Sequence, residues 1–557
     1  MKRAIFFAIT CLIYTTSSSQ TIWGKSFGGP SSDTPTGIAS DHSGNLISTG
    51  NFFQSIDLDP SEGDYILNSS NGISMFVQKL NSQGEIIWGV VFESDTSIES
   101  KAVACDSDNN IYILGQFWGN VDFNPGSGTT MIESNGKNDI FLLKLNSLGQ
   151  YQWVRSYGSY LHDNPGDLVI SENDEIAFVC AFQLTADLNP GTEVEEYTSQ
   201  GDRDLFVQQL NTSGELIWND VIHSDENLKA FNIEIGSNGD VYLTGDFNGS
   251  TDFDPSSNEF EISPQENSSN FLLSLNNSGV FQWVNIYEST TLISAIDISV
   301  NSTDDLYLLM NNVGSTDLDP GINELPFSTT AMAMVIQKYS SDGTLLWSKE
   351  FESFDNGSMN GKTIITDSES SLVVSGEFYG IIDFDPNDGE FNIESEGDIY
   401  ILSLTLDGEF VFVHNFESTN YGGPTEAIFT QSNSFYLLGV FTDSMNVQIG
   451  SEEEYIYAIN SQDCFIINVG YALGIGDKLN SEHLSIYPNP FIDGIYFEND
   501  NDTSESLRIY SLNGTLINQY IIEPTTNYLD LSSLNCGVYF FEFRVNGIKM
   551  VKKIIKI

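Results

Sequence analysis

The chain has 557 residues, 40% of them hydrophobic, which is enough to bury the core of one large domain and one small one. Its 78 acidic residues outnumber 20 basic ones, for a formal net charge of −58. That sign repels nucleic acid and anionic membranes, which both require Lys and Arg clusters, and it suits a soluble protein outside the cell.

Residues 1–19 read as a secretory signal peptide. Lys2 and Arg3 form a basic start, and residues 4–14 are an apolar run too short to span a bilayer. Small polar residues then lead to Gln20. No later run reaches about 18 apolar residues, so no transmembrane segment is expected. Cys105, Cys180, Cys464 and Cys536 lie far apart with no Cys-x-x-Cys pattern, and read as small buried hydrophobes, not as a disulfide framework or thiolate zinc site.

From residue 20 to 470 the chain repeats. Trp23, Trp88, Trp153, Trp218, Trp283 and Trp347 are spaced by 65, 65, 65, 65 and 64 residues, and one more step of 65 lands on Phe412. Gly-x-Phe follows the same beat at Gly50/Phe52, Gly115/Phe117, Gly245/Phe247, Gly376/Phe378 and Gly439/Phe441. The third copy has Cys180/Phe182, and the fifth departs most, with Met310 and Asn312. An Asn-x-x-Gly turn recurs at Asn81, Asn146, Asn211 and Asn276, with worn copies at Ser340 and Thr405.

Each unit reads as four short β-strands, A to D. In the second, residues 102–106 and 111–117 form one hairpin and residues 140–146 and 150–157 another, joined by a loop of about twenty residues. A repeated four-stranded antiparallel unit is the signature of a β-propeller blade. The region opens on a lone D strand carrying Trp23 and ends, at residues 463–470, on a C strand with no D partner. The first strand can therefore complete the last blade, which predicts an all-β, seven-bladed β-propeller over residues 20–470. The Trp positions are read as packing between blades rather than sugar stacking, because a binding site does not call for so many equal copies.

A polar linker at 471–481 leads to a new pattern over 482–557: short strands with Asn-Gly turns at Asn513 and Asn546, which suggest a small β-sandwich. Tyr487, Pro488, Asn489 and Pro490 begin the pattern; Leu534, Gly537 and Tyr539 form a Leu-x-x-Gly-x-Tyr element; Lys552, Lys553 and Lys556 end it. This segment resembles the type A C-terminal sorting domain of the type IX secretion system of Bacteroidota. The resemblance implies export through the inner membrane by the signal peptide and through the outer membrane by the type IX machinery. In that family the sorting domain is usually cleaved, and the cargo is released or fixed to surface lipopolysaccharide. The repeat units also resemble β-propeller repeats of secreted Bacteroidota proteins, on the pattern carried by Trp88, Asp106, Asn110, Tyr112, Gly115 and Phe117.

Asp-x-Asp/Asn-Pro marks the B–C loop of six units. The pairs are Asp57 and Asp59, Asp122 and Asn124, Asp187 and Asn189, Asp252 and Asp254, Asp317 and Asp319, and Asp383 and Asp385. Oxygen ligands at alternate positions suit calcium, although the later bidentate Glu of an EF-hand loop is missing. The same residues also cap turns through backbone N–H groups, so both readings stay open. No catalytic motif is present, and His42, His162, His223, His414 and His483 occupy unrelated repeat positions, where they read as surface or turn residues. The expectation is a secreted or cell-surface binding protein without catalysis, its site on the variable D–A and long B–C loops of one face, including those at 156–166 and 351–361, and its partner a glycan or surface protein. A polysaccharide lyase or hydrolase, with a carboxylate pair hidden among so many acids, and a structural surface-layer protein are the alternatives.

Overall fold

The computed structural model describes residues 23–469 apart from short loop segments (62, 190, 192–193, 267, 322, 355–356, 368–370, 388, 421, 431–433 and 448–453), and beyond them 484–487, 494–499, 505–511, 516–522, 528–532, 534, 537–545 and 548–556. The expected signal peptide and linker lie outside the described residues. The chain divides into two compact units, Met1–Leu473 and Gly474–Ile557. Both are all-β, with no helix among the described residues.

In the larger part each repeat unit is a run of antiparallel strands paired in chain order. Unit 2 shows the pattern: Ser97–Cys105 (A) pairs with Ile111–Trp118 (B), which pairs with Asp139–Leu145 (C), which pairs with Tyr151–Tyr157 (D). Strand A begins earlier than the sequence suggests, because the ladder continues past a bulge at Lys101. Every A strand has this bulge, at Thr36, Lys101, Gly166, Phe231, Ile296, Lys362 and Thr425. A bulge sharpens the local twist, as a strongly coiled small sheet requires. The B–C connection is more ordered than the plain loop expected. In unit 1, B and C simply run on as Leu46–Asp57 and Ile66–Leu80, and in unit 2 a separate ribbon pairs Asn120–Asp122 with Met131–Glu133.

The A strands of successive units are Thr34–Ser40, Ser97–Cys105, Asn164–Ile170, Leu228–Ile235, Leu292–Val300, Ser358–Thr366 and Gly422–Phe429. Each neighbours the next, and the last again neighbours the first. The first strand, Trp23–Phe27, pairs with Tyr455–Val469 in the register Trp23↔Asn468 to Phe27↔Cys464. Across the same seam Asp33 N–H donates to the Gln462 carbonyl at 2.9 Å.

Among the described residues the core lies between units and not within them. Each buried cluster joins two consecutive units, as when Met75 and Val77 of unit 1 meet Ile113 and Phe141 of unit 2. The same holds for every later pair. Leu438 and Ile466 of unit 7 meet Phe52 and Phe76 of unit 1. A strand pattern buried on both faces by neighbouring units explains the near-continuous apolar runs of the B and C strands. The predicted buried cysteines Cys180 and Cys464 are free and buried, and Cys105 is free and half-buried; Cys536 lies outside the described residues.

The tryptophan beat has a specific cause. Each Asn-x-x-Gly turn forms because the Asn side chain bonds back: Asn146 Oδ1 accepts from Leu148 N and Gln150 N, both at 3.0 Å. Its glycine takes the left-handed conformation, with φ of 74° at Gly149 and 73° at Gly214. The tryptophan of the preceding unit lies on that glycine. A Cβ added at Gly149 would sit 3.1 Å from Trp88, and one at Gly214 3.1 Å from Trp153. The indole N–H then donates to the same turn, Trp88 to Ser147 O at 3.4 Å and Trp153 to Thr212 O at 3.2 Å. Trp23 does the same to unit 1, reaching Ser82 O at 3.3 Å and covering Gly84.

The smaller part holds two antiparallel sheets. Leu484–Tyr487, Gly494–Asn499 and Tyr528–Asp530 form one; Leu516–Ile522, Glu505–Ser511, Gly537–Val545 and Ile548–Lys556 form the other. Ile495, Leu507, Ile509 and Leu531 are buried in it.

Gly149→Ala introduces both backbone strain and a clash with Trp88, and should cost about 1–3 kcal/mol in chemical denaturation. Gly44→Ala is the control, since its φ of 78° is equally strained but nothing lies within 4 Å of the added Cβ. Equal losses at the two positions would refute the tryptophan contact as the cause.

Candidate functional site

The Asp-x-Asp/Asn-Pro segments lie at the outer ends of the B–C ribbons, and the structure shows how each is held. The first aspartate accepts two backbone N–H groups on one oxygen. Asp57 Oδ1 takes Asp59 N at 3.0 Å and Tyr65 N at 2.8 Å, and Asp122 Oδ1 takes Asn124 N at 3.1 Å and Thr130 N at 2.7 Å. Asp187, Asp252, Asp317 and Asp383 repeat the pattern with residues two and eight ahead. The second residue caps the next turn: the side chains of Asp59, Asn124, Asp254, Asp319 and Asp385 each accept an N–H two residues on. Asn189 instead accepts Gly191 N–H at its backbone carbonyl.

Between the two polar residues sits a buried apolar one: Leu58, Phe123, Leu188, Phe253, Leu318 and Phe384 are each 1% exposed or less. Phe123 packs between Phe117 and Phe141, with ring centroids 5.4 and 5.1 Å away. The loop is thus an apolar plug held in shape by its own carboxylates. Unit 7 has a seventh copy outside the Asp-x-Asp/Asn-Pro pattern, with Asn446 Oδ1 accepting Glu454 N at 3.2 Å and Val447 as the plug. Its Asn in place of Asp, and the missing proline, hid it.

A second feature was not legible as a motif. Asp167, Glu234, Asp297 and Glu426 are half-buried on the A strands of units 3, 4, 5 and 7. Asp167 Oδ2 accepts Ile233 N at 3.2 Å and Asp297 Oδ2 accepts Ile364 N at 2.8 Å, so each carboxylate ties its A strand to the next unit. Loss of water among the strands, then the Asp167 charge, pushes Glu234 up to about 8 and Glu426 up to about 7. Burial and then the Glu426 charge push Asp297 well above the usual carboxylate range. Burial also raises Asp167, and the Lys101 ammonium pulls it part of the way back. An acid just past the bulge of an otherwise apolar strand, as in Asp167-Leu-Val-Ile, was the signal available in the sequence.

The histidines divide. His42 is exposed, and His162 lies on the loop at 156–166. His223 is not a plain surface residue: its Nδ1 lies 2.6 Å from Asp204 Oδ2. Burial pushes His414 down to about 4, so it is neutral. His483 lies outside the described residues. Among the described residues no group of three or more His, Cys, Asp or Glu is arranged to hold a metal ion.

Each variable loop exposes a large ring. Tyr160 on the loop at 156–166 is 73% exposed, and Phe354 on the loop at 351–361 is 70% exposed. Beside the second loop a pocket of about 340 Å³ is lined by Ser358, Asn360, Glu377, Tyr379 and Asn420 among others. Asn360 Nδ2 donates to Glu377 Oε1 at 2.9 Å, and Lys362 pairs with the same carboxylate at 3.5 Å. The Glu377 carboxylate is therefore held by two neighbours.

The expected sorting residues are spread over both sheets of the smaller part. Tyr487 pairs in register with Tyr496, while Lys552 and Lys553 pair with Phe541 and Phe540. Gly537 opens its strand and Tyr539 is buried. Lys556 Nζ donates to the Leu531 and Ser532 carbonyls at 2.7 and 2.9 Å. Pro488, Asn489 and Pro490 lie outside the described residues.

Residues 485–557 match the family profile described as the secretion system C-terminal sorting domain. The protein is exported to the cell surface or the extracellular space. The sorting domain engages the type IX secretion machinery, as expected of a type IX cargo of Bacteroidota. No helix among the described residues is long and apolar enough to cross a membrane. No curated protein matches the chain. Among solved structures, a protein of unknown function from Dyadobacter fermentans DSM 18053 aligns at 11% identity and TM-score 0.34, covering 80% of this chain and 99% of that one. The extracellular domain of a B. thetaiotaomicron protein described as a one-component system aligns at 10% identity and TM-score 0.15, covering 97% and 99%. Neither score reaches 0.5.

The A-strand carboxylates make a pH prediction. Carboxyls raised to about 7 and 8 from an ordinary 4.5 favour the protonated fold; their contribution is full below about 4.5 and is lost as pH rises through those values. Thermal melting should show stability falling from pH 5 towards pH 8, and Glu426→Gln should flatten that slope. An unchanged slope would mean that Glu426 does not titrate in this range.

Proposed function

We propose that the secreted chain is a seven-bladed β-propeller that binds a glycan or protein at the cell surface and has no catalytic activity of its own. The closure reading is supported by the first strand, which pairs with strand C of unit 7 while its Trp23 covers the turn glycine of unit 1. The succession of A strands, with the last beside the first, supports it too. The binding reading rests on one observation: a regular scaffold carries irregular loops that expose Tyr160 and Phe354. Such loops on a rigid frame are where binding residues concentrate.

Removing residues 20–27 leaves the edge of Tyr455–Val469 unpaired and Gly84 uncovered. The shortened chain should self-associate on size-exclusion chromatography. A monomer as stable as the full chain would refute the closed ring. A glycan array probed with the secreted chain should retain specific polymers, and incubation with those polymers should release no shorter products. Product release would replace the reading with that of a polysaccharide-degrading enzyme; failure to retain any glycan or surface protein would favour a structural role.

We also propose that the six Asp loops hold their shape without calcium, because one oxygen of each first aspartate already satisfies two backbone N–H groups and the plug supplies apolar burial. Melting temperatures in EDTA and in millimolar calcium should then coincide. A rise with calcium would establish the loops as cation sites.

A further inference from the structure

Positive charge is scarce in a chain with 20 basic residues against 78 acidic ones. Yet four side chains able to carry it gather where units 2, 3 and 4 meet. Arg203 and Lys229 line one pocket of about 270 Å³ together with Asn164, Pro165, Ala181 and Phe231. His162 feels the charges of Lys137 and Arg203, which, after burial, lower its pKa.

Arg203 is fixed by its backbone and left unsatisfied by its side chain. It bridges to Asn227 at the start of unit 4, and its N–H donates to Glu226 O at 3.2 Å. Its Nη1 donates to Asn227 Oδ1 at 3.3 Å, a neutral acceptor, while its Nε is buried without an acceptor. None of the ion pairs among the described residues includes it. Asp163 feels its charge, but the Asp163 oxygens accept Ser159 N at 2.6 Å, Ser159 Oγ at 3.1 Å and Gln183 N at 2.9 Å. Asp202 accepts Gln183 Nε2 at 2.7 Å. Lys229 pairs with Asp246 at 3.4 Å but its side chain stays 50% exposed. Asn164 and Pro165 open the A strand of unit 3, paired with Ala181 and Cys180.

We propose that this pocket receives the carboxylate of an acidic sugar in an extracellular polysaccharide, held between Arg203 and Lys229. The assignment rests on the binding role proposed above and names the ligand class. A guanidinium presents a planar fork that matches a carboxylate. Pro165, Ala181 and Phe231 in the lining suit the apolar face of a pyranose. In a chain of net charge −58, a carboxylate is admitted only where local positive charge outweighs the general repulsion, as at Arg203 and Lys229.

The test titrates the secreted chain by calorimetry with uronic acid trimers of the galacturonate, glucuronate and mannuronate types, and with the matching neutral trimers. At least one uronate trimer should bind, its neutral counterpart should bind at least about tenfold more weakly, and added salt should weaken the acid complex. Arg203→Ala should lower affinity for the acid by about 10- to 100-fold and Arg203→Lys by less, at an unchanged melting temperature. Lys229→Ala gives an independent loss should Arg203→Ala disturb the fold. The inference is overturned by equal binding of neutral and acidic trimers, by acid binding that survives both alanine variants, by no binding of any uronate, or by acetate binding as tightly as the trimer. Each of these leaves the general binding role intact wherever the glycan array retains another ligand; only an array and a surface-protein screen with nothing retained remove that role itself.

Discussion

The contact on which the repeat region depends is an indole ring laid on a bare α-carbon of the neighbouring unit. The turn beneath must be left-handed and must lack a Cβ, which only glycine supplies without strain. The tryptophan must come from the unit before, because the N–H at its edge completes the same turn. Two residues some sixty positions apart are thus coupled, and the coupling preserves both beats at once. The cover over the glycine is kept more strictly than the indole bond: Trp283 covers Gly343 of the worn Ser340 turn and still donates to Ser341 O at 2.9 Å. Trp218 still covers Gly279 but donates to Gln209 Oε1 of its own unit at 2.5 Å, and the buried Trp347 Nε1 has no acceptor.

A second recurrent element works within a unit. The aspartate loops fold an apolar residue back under the ribbon, so that each unit closes its outer end with its own side chain. The plug of unit 7, Val447, lies against Gly24 of the first strand, just as Leu58 of unit 1 lies against Gly89. The same packing therefore recurs at the junction between chain beginning and chain end, with a strand borrowed from the far end of the sequence. The half-buried acids of the A strands act both ways: Asp167 and Asp297 bond to the next unit, while the charges of the group repel one another and resist ionisation. They do not determine the fold, and their presence is the least regular part of an otherwise regular interior.

Much of this could be read from the chain before its structure was known. The beat of Trp, Gly and Asp-x-Asp/Asn-Pro marks positions whose neighbours are other copies of the same unit, so their environment is repeated and their identity with it. The pairing of Trp23–Phe27 with the last unit followed from counting strands. The extent of strand A did not, because the bulge at Lys101 breaks the alternation that would have extended it back to Ser97. The Asn446 loop was hidden because its bonds need only a side-chain oxygen, not the full motif. Asp167, Glu234, Asp297 and Glu426, and the group of Lys137, His162, Arg203 and Lys229, are scattered along the sequence and meet only through the stacking of units. A pattern search along one dimension cannot join residues whose association is set by the arrangement of the sheets.

The seam has a consequence for how the molecule is made. The side chain of Gln462 bonds to the Asp33 carbonyl across 429 residues of sequence. Strand Trp23–Phe27 leaves the ribosome early, yet the ladder that completes it is among the last parts of the repeat region to be translated. Until then it has one flank, on unit 1, and an open hydrogen-bonding edge on the other. Final assembly therefore follows synthesis and does not accompany it, and contacts of such long range form slowly. An exported chain of this design has a natural interval in which it is complete enough to be carried and not yet locked.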